Sequence, residues 1–202
     1  MNRAWVDKLP VPFGIAGGAC LAATAAVCLL LDRGGPFDRI GMAAAMLALA
    51  AACLALLRLE KVGRDRLLLM LLPIGLAMLL RALCLDYAGT DYRGFLTSWY
   101  QTFRDNGGFR AITMDIGDYN VPYLYFMAAI TYLPVPDLYL IKLFSMVFDV
   151  VLAWGGFRLV RVLRGKGEDG PAPLAAFAVL LLLPTVILNG AYWAQCDAIY
   201  GG

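Results

Sequence analysis

Residues 138–157 read LYLIKLFSMVFDVVLAWGGF, a run whose only charged side chains are Lys142 and Asp149. A helix needs about 20 mostly apolar residues to cross the hydrocarbon core of a bilayer, because every backbone N–H and C=O group must be satisfied within the segment. Four further runs meet that requirement or nearly so, and they occupy residues 11–31, 40–57, 67–85 and 174–188. The sequence therefore predicts five membrane-spanning helices.

The composition of the whole chain is typical of a membrane protein. Of its 202 residues, 61% are hydrophobic and 16% are charged, against roughly 25% charged residues in an average soluble domain. The formal net charge is only +2, so we expect no nucleic-acid partner, because no cationic excess is present to bind a phosphate backbone. Histidine is absent, which leaves carboxylates, hydroxyls, amides and cations to carry any chemistry.

The distribution of Lys and Arg indicates the orientation in the membrane, because cytoplasmic loops carry their excess. They collect in the link between the second and third spans and in the link before the last span, as Arg58, Lys61, Arg64 and Arg66, and as Arg158, Arg161, Arg164 and Lys166. With both links inside, the N-terminus with Arg3 and Lys8 is cytoplasmic. Residues 121–133 are too short for a full crossing and form a re-entrant or interfacial helix. Residues 86–120 and 189–197 then both lie on the outer face of the plasma membrane.

We therefore expect an all-α fold, a multi-pass transmembrane helix bundle with a helical extracytoplasmic loop. Residues 1–66 form an N-terminal hairpin with its cytoplasmic loop, and residues 67–202 form a second module that carries the outer loop 86–120. Two polar, aromatic segments from distant parts of the chain converge on one face, as a binding site requires. The composition of the loop 86–120 is equally consistent with a solvated segment that has no binding site and is anchored at the membrane surface by its aromatic side chains.

The outer loop resembles the first outer loop of multi-pass GT-C glycosyltransferases, and most closely that of bacterial relatives of the GPI-anchor mannosyltransferases. The matching residues are Asp91-Tyr92, Trp99, Asn106-Gly107-Gly108 and the run GDYNVPYLY at 117–125. The loop of the family typically ends in Asp-Tyr-Pro-Pro-Leu. Asp118 and Tyr119 match the start of that motif, whereas Asn120 and Val121 stand where its first proline would be.

Two later segments extend the resemblance. Residues 139–149, with Lys142 and Asp149, are similar to the helix that follows in the family. Residues 188–200, LNGAYWAQCDAIY, resemble the pattern Asn-x-x-x-Trp-Gly-Gln-x-Asp-x-Ile-Tyr, with Ala194 in place of the usual glycine. That replacement is a mild departure if the backbone there needs no positive φ. The three matches keep the order of the family and cover about residues 91–200.

The resemblance implies an inverting transfer of a sugar, mannose in the family, from a polyprenyl-phosphate donor to a hydroxyl of a glycan, lipid or protein acceptor. Such a transfer needs a general base, and Asp91 matches the first-loop acid of the family. The departing phosphate needs cations or a divalent metal, Mg²⁺ or Mn²⁺; Asp91 and Asp197 are candidates to hold the metal, and Arg93, Arg104, Arg110, Arg81 and Lys142 are candidate cations. The expected substrate-binding residues are Tyr92, Arg93, Trp99, Asp118, Tyr119, Asn120, Lys142, Asn189, Trp193, Gln195 and Asp197.

Two alternatives remain open. Charged residues inside a bilayer are costly and usually functional or paired, so Lys142 and Asp149 would be the functional groups of a non-enzymatic protein such as a transporter subunit. Lys142 would either reach the lipid phosphate or extend to the interface, while we expect Asp149 to hydrogen-bond a neighbouring helix. The second alternative is that the chain is a fragment. It stops at Gly202, before the helices that complete the donor site in the family, and would by itself be inactive.

Overall fold

Every regular element in the part of the chain that the structure describes is a helix. The computed structural model describes residues 10–165 and 170–201. In chain order the elements are α1 (Pro10–Leu29), α2 (Pro36–Leu59), α3 (Arg64–Leu83), a π-helical turn (Tyr92–Leu96), α4 (Thr97–Asp105), a 3₁₀ helix (Gly108–Thr113), α5 (Val121–Ile130), α6 (Asp137–Arg164), α7 (Ala172–Leu182), α8 (Pro184–Ile187), a second π-helical turn (Leu188–Tyr192) and α9 (Ala198–Gly201).

Four of the five predicted membrane spans are confirmed as single helices of sufficient length and apolarity, and the fifth corresponds to a bent pair of helices. Helices α1, α2, α3 and α6 are each long and apolar enough to cross a bilayer, and α7 with the segment Pro184–Tyr192 forms a fifth candidate span. Helix α5 has only 10 residues, as expected of a segment too short to cross. The protein is therefore a helical, multi-pass membrane protein. The N-terminal cations Arg3 and Lys8, and Lys166 in the last link, lie outside the described residues.

The fifth span is broken, which the apolar run 174–188 did not indicate. Its two parts meet at an angle of 43°. Proline has no backbone N–H and disfavours the helical conformation of the residue before it, and Leu183, which precedes Pro184, has φ −59° and ψ 123°. The chain therefore leaves α7 at Leu183 and begins a new helix in a different direction.

Helices α1 and α3 pack with their backbones in contact at two glycines. A Cβ atom on Gly17 would lie 2.3 Å from the carbonyl carbon of Leu71, and one on Gly75 would lie 2.5 Å from the carbonyl oxygen of Gly17. Small residues allow helices in a membrane to approach closely, where van der Waals contact replaces the hydrophobic effect as the driving force. These two glycines therefore set the distance between the first and third spans.

Contacts between loops show which helix ends lie together. At one end, the Asp86 carboxylate accepts hydrogen bonds from the Asp32 backbone and the Tyr139 hydroxyl. At the other end, the Arg161 guanidinium donates to Glu60 over 2.8 Å. The first end, formed by Leu29, Pro36, Leu83, Asp137 and Tyr192, is called the site end below. The second, formed by Leu59, Arg64, Arg164 and Ala172, is called the basic end.

Asp149 forms a fully buried ion pair with Arg81 of α3. The Arg81 Nε and Nη2 atoms donate to Asp149 Oδ2 over 3.1 and 2.9 Å, and the two side chains are 0% and 2% exposed. The remaining Arg81 nitrogen, Nη1, donates to the backbone oxygens of Ala77 and Leu181. The expectation that Asp149 hydrogen-bonds a neighbouring helix is confirmed. Because all three guanidinium nitrogens donate to groups of the protein, Arg81 does not face a substrate phosphate.

Lys142 binds the end of α3. Its ammonium is fully buried and donates to the carbonyl oxygens of Cys84, Leu85 and Tyr87 over 2.6, 3.2 and 2.6 Å. These carbonyls directly follow the last residue of α3, Leu83, and a cation at this end of a helix also complements the helix dipole. Lys142 therefore neither extends to the interface nor presents its ammonium to solvent. It fastens α6 to the end of α3, just before the outer loop begins.

Candidate functional site

The two motif-bearing segments meet at the site end. The side-chain amide of Gln195 donates a hydrogen bond through Nε2 to Asp91 Oδ2, across 104 positions of sequence. Trp193 also packs against Gly89, where a Cβ atom would lie 3.6 Å from Trp193 Cδ1. The predicted convergence of residues 86–120 and 189–197 on one face is therefore confirmed, independently of which side of the membrane that face occupies.

Asn189 orients the amide that contacts Asp91. Its Nδ2 atom donates to Gln195 Oε1 over 3.0 Å and to Asp197 Oδ2 over 2.9 Å. Because the Gln195 oxygen is occupied in this way, its nitrogen is the atom that faces the Asp91 carboxylate. The backbone N–H of Gln195 also donates to the Asn189 carbonyl over 2.9 Å, which folds the segment back on itself. Asn189, Gln195 and Asp197 thus form one network that ends on Asp91.

Asp91 lines a cavity of about 250 Å³. Its other walls are Phe95, Leu96, Trp99, Asp118 and Tyr119. Drug-sized ligands occupy pockets of about 300–1,000 Å³, so this cavity suits a smaller group such as one sugar ring. Two carboxylates provide hydrogen-bond acceptors, and the exposed Phe95 with the partly buried Trp99 and Tyr119 provides aromatic surface.

Gly117 allows the wall of the cavity to form. It has φ +67°, in the left-handed region that glycine tolerates, and a Cβ atom there would lie 2.6 Å from the Trp99 ring. The Trp99 ring in turn meets the edge of Tyr119 at a centroid distance of 5.3 Å. Gly117 therefore lets the loop fold over Trp99 and places the next residue, Asp118, at the cavity.

Tyr92, although adjacent to Asp91, is directed to a different part of the fold. Its side chain is buried, and its hydroxyl donates to Asp137 Oδ2 over 2.9 Å. Burial, with a contribution from the neighbouring carboxylate, raises the pKa of Tyr92 to about 12, so it is a neutral donor at physiological pH. Among the described residues, Tyr92 ties the outer loop to the start of α6 rather than lining the Asp91 cavity.

The expected cations divide into exposed and occupied groups. Arg93, Arg104 and Arg110 are exposed, whereas Lys142 is committed to backbone carbonyls. Arg104 lines a second cavity at the site end, of about 400 Å³, together with Asp38 and other residues. Arg93 is the exposed cation nearest in sequence to the Asp91 cavity.

The carboxylates present are compatible with a divalent metal. Within the described ranges, no group of three or more acidic or cysteine side chains is arranged as a metal site. Mg²⁺ usually keeps several waters and binds through one or two carboxylates plus substrate phosphates, so such a group is not required. Asp91 and Asp118 line the same cavity, and Asp197 is connected to Asp91 through the amide network. These oxygens fit the donor preference of Mg²⁺ or Mn²⁺.

Cys196 lies within this segment but is not a nucleophile. It is 2% exposed. Burial, together with the charge of Asp197, raises the pKa of the Cys196 thiol to about 11. A thiol with that pKa carries almost no thiolate at neutral pH, and the thiolate is the reactive form.

Ala194 adopts a backbone conformation that favours glycine. Its φ is +64°, so the condition under which alanine would be a mild departure from the family pattern is not met. The left-handed conformation costs an L-residue roughly 1–2 kcal/mol. The strain lies between Trp193 and Gln195, where the chain turns toward Asp91.

Ala194→Gly is expected to raise the free energy of unfolding by less than about 1 kcal/mol, because the relief of backbone strain is largely offset by the loss of one buried methyl group and the added freedom of the unfolded chain. The measurement is thermal unfolding in detergent, followed by circular dichroism. The matched control is Ala191→Gly. Ala191 is equally buried but lies in a π-helical turn, where glycine lowers stability by about 1 kcal/mol. Equal effects of the two changes would contradict the assigned strain.

Sequence reasoning missed two residues of the cavity wall, Phe95 and Leu96. Asn189 was predicted as a substrate-binding residue, and the structure shows that it contacts Asp91 through Gln195 rather than directly. Gly117, which has a positive φ, lies at the start of the run GDYNVPYLY at 117–125. A glycine placed before these aromatic residues was the signal in the sequence that could have predicted the turn.

The two segments that carry the predicted site residues touch through Asp91 and Gln195. The chain matches no known family model, and no curated protein and no solved structure shows significant similarity to it.

Proposed function

We propose that the protein is a membrane glycosyltransferase of the GT-C type, which transfers a sugar, with mannose as the first candidate, from a polyprenyl-phosphate donor to an acceptor hydroxyl. The observation that carries the proposal is the hydrogen bond from the Gln195 amide to the Asp91 carboxylate. It joins the two segments that carry the family-like motifs, and it fixes the carboxylate at the edge of a cavity of about 250 Å³.

In the proposed reaction Asp91 is the general base. It takes the proton of the acceptor hydroxyl as the oxygen attacks the anomeric carbon from the face opposite the lipid phosphate, and the bond from that carbon to the phosphate oxygen breaks. Gln195 holds one carboxylate oxygen in place, and Asn189 holds Gln195. The products are an inverted glycoside, polyprenyl phosphate and a proton on Asp91, which is then released to solvent.

The aromatic and cationic residues have separate roles in the proposal. Trp99 and Tyr119 provide surfaces against which the sugar ring packs, and Asp118 accepts hydrogen bonds from its hydroxyls. Arg93, which is exposed and lies two residues after Asp91 in the sequence, neutralises charge on the departing phosphate. A Mg²⁺ or Mn²⁺ ion held by Asp91 or Asp197 would supply additional charge neutralisation at that phosphate.

The proposal places the site end at the outer face of the plasma membrane. The basic end carries the clusters around Arg64 and Arg161, and an excess of Lys and Arg is the mark of the cytoplasmic side. The site is then at the depth of the lipid headgroups, where a polyprenyl phosphate presents its sugar.

The transporter alternative receives less support. Its functional groups would be Lys142 and Asp149, and the described contacts of both are made to the protein itself, to the end of α3 and to Arg81. Such contacts are typical of groups that hold helices together.

The experiment is an assay of transfer in membranes that contain the protein. A panel of polyprenyl-phosphate hexoses, each labelled in the sugar, is supplied as donor, and membranes without the protein serve as the control. We expect label to move to an acceptor, with one polyprenyl phosphate released for each sugar and with inversion at the anomeric carbon. Retention of configuration, or no transfer from any donor, would overturn the proposal.

A further inference from the structure

A second polar cavity lies at the opposite end of the bundle from Asp91. Its volume is about 410 Å³, larger than the 250 Å³ of the Asp91 cavity. It is formed between the α2–α3 link, the last turns of α6 and the start of α7, and its lining residues include Glu60, Lys61, Arg64, Asp65, Arg66 and Arg161. None of these residues takes part in the proposed transfer reaction.

The described lining of the cavity carries an excess of positive charge. Among those residues, four side chains are cationic and two are acidic. One acid, Glu60, is already bound: Arg161 donates to its Oε2 over 2.8 Å, and Trp154 donates to its Oε1 over 3.2 Å. Arg158, outside the cavity, lies 3.5 Å from the same carboxylate. Glu60 is therefore neutralised by its neighbours and does not repel an anion.

Three cations remain at the cavity. Lys61, Arg64 and Arg66 are exposed, and within residues 10–165 and 170–201 no ion pair or side-chain hydrogen bond engages them. The acid between them, Asp65, is also exposed. Three like charges held around one concave surface favour an anion that accepts several hydrogen bonds at once, as a phosphate group does.

The backbone of the α2–α3 link adds to this arrangement. The link is short and tightly bonded, with the Val62 N–H donating to the Leu57 carbonyl over 3.1 Å. Lys61 has φ +64°, at a position after a helix that glycine or asparagine usually occupies. The strained position therefore carries an ammonium at the cavity wall. The N-cap of α3 is Gly63, which offers no side chain to the first N–H groups of the helix.

We propose that this cavity is a phosphate-binding site at the membrane surface, with Lys61, Arg64 and Arg66 as its cationic ligands. The phosphate belongs either to the headgroup of an anionic phospholipid or to a free phosphate compound, and both present the same anion. Candidate spans α2, α3 and α6 end or begin here, so the cavity lies where lipid headgroups are found. Basic pockets between transmembrane helices bind such headgroups, and each cation near the surface contributes about a fivefold gain in binding.

The test is native mass spectrometry of the purified chain in detergent, titrated with dioctanoyl phosphatidylglycerol. Dioctanoyl phosphatidylcholine is the zwitterionic comparison, and inorganic phosphate is the soluble competitor. We expect phosphatidylglycerol to be retained over phosphatidylcholine. Lys61→Gly should weaken its retention roughly fivefold, and Arg64→Gln/Arg66→Gln should weaken it further.

Two features of the design separate lost binding from lost folding. Lys61→Gly removes the ammonium but suits the left-handed backbone, so its unfolding temperature should not fall. Arg58→Gln is the matched control, because Arg58 is exposed at the same end but does not line the cavity. Equal retention by wild type and all variants, or equal retention of the two lipids, would overturn the proposal. Displacement of phosphatidylglycerol by an equal concentration of inorganic phosphate would support the site and assign it to a free phosphate compound.

Discussion

Replacement of Asp91 by Asn is expected to lower the rate of sugar transfer by about 10²- to 10⁴-fold, the usual contribution of a general base. Asn has the shape of Asp, and its oxygen still accepts the hydrogen bond that Gln195 donates, so the loop should keep its geometry. The amide cannot take a proton from the acceptor hydroxyl at neutral pH. The measurement is the initial rate of transfer from a labelled polyprenyl-phosphate sugar, at equal amounts of protein in the membrane.

Asp115→Asn is the matched control for this change. Asp115 is an exposed carboxylate of the same loop and does not line the Asp91 cavity. We expect it to transfer sugar at the wild-type rate. Full activity of Asp91→Asn would exclude Asp91 as the base, and an equal loss in both variants would indicate that the overall charge of the loop, and not one carboxylate, is what matters.

The second large effect is expected on stability. Arg81→Met should lower the free energy of unfolding by about 3–5 kcal/mol, because it leaves the Asp149 carboxylate buried without a counter-ion. In the folded protein both groups are excluded from solvent, at 0% and 2% exposure. The measurement is chemical unfolding in detergent micelles, followed by tryptophan fluorescence.

The double variant Arg81→Met/Asp149→Leu tests the cause of that loss. With both charges removed, no ion is left unpaired, and apolar replacements of a buried pair are often close to neutral. We therefore expect the stability lost through the unpaired carboxylate to return, while the Leu181 carbonyl still lacks the donor that Arg81 supplied. The comparison variant is Arg158→Met, which removes an exposed pair with Glu60 at 3.5 Å and should cost less than about 1 kcal/mol. Similar losses in all three variants would show that the buried ion pair contributes no more to the free energy of unfolding than the exposed one.

The sequence was sufficient for those features that depend on local composition. A single run such as 67–85 forms a helix where it is surrounded by lipid, because a helix satisfies every backbone group within the segment itself. The alternation of spans then places residues 91 and 195 at the same end, and the hydrogen bond between them agrees with that arrangement. The bounds of the helices differ from the apolar runs by a few residues, since polar side chains continue a helix beyond the hydrocarbon.

The partners of the charged residues could not be predicted in the same way. Whether Lys142 reaches a phosphate, extends to the interface or binds the end of α3 depends on where α3 stops and how α6 is rotated against it. Both are properties of the packed bundle. Tyr92 shows the same limit of local reasoning, because its contact with Asp137 requires the loop to fold back over the start of α6. The strain at Ala194 likewise arises from a turn that leads into a long-range contact.

The bend at Pro184 brings about a contact between Arg81 and Leu181, which stand a hundred positions apart in the sequence. Where the helix breaks, the carbonyl of Leu181 loses the donor that the next turn would have supplied, and inside a bilayer an unpaired carbonyl costs several kcal/mol. Arg81 Nη1 supplies a donor to that oxygen from another helix, over 2.9 Å. The break at Pro184 thus leaves the Leu181 carbonyl without a backbone donor, and Arg81 supplies a donor in its place. Pro184 and Arg81 should be exchanged together in any redesign of the bundle, because a straight helix would no longer need the guanidinium and a bent one without it leaves the Leu181 carbonyl unpaired.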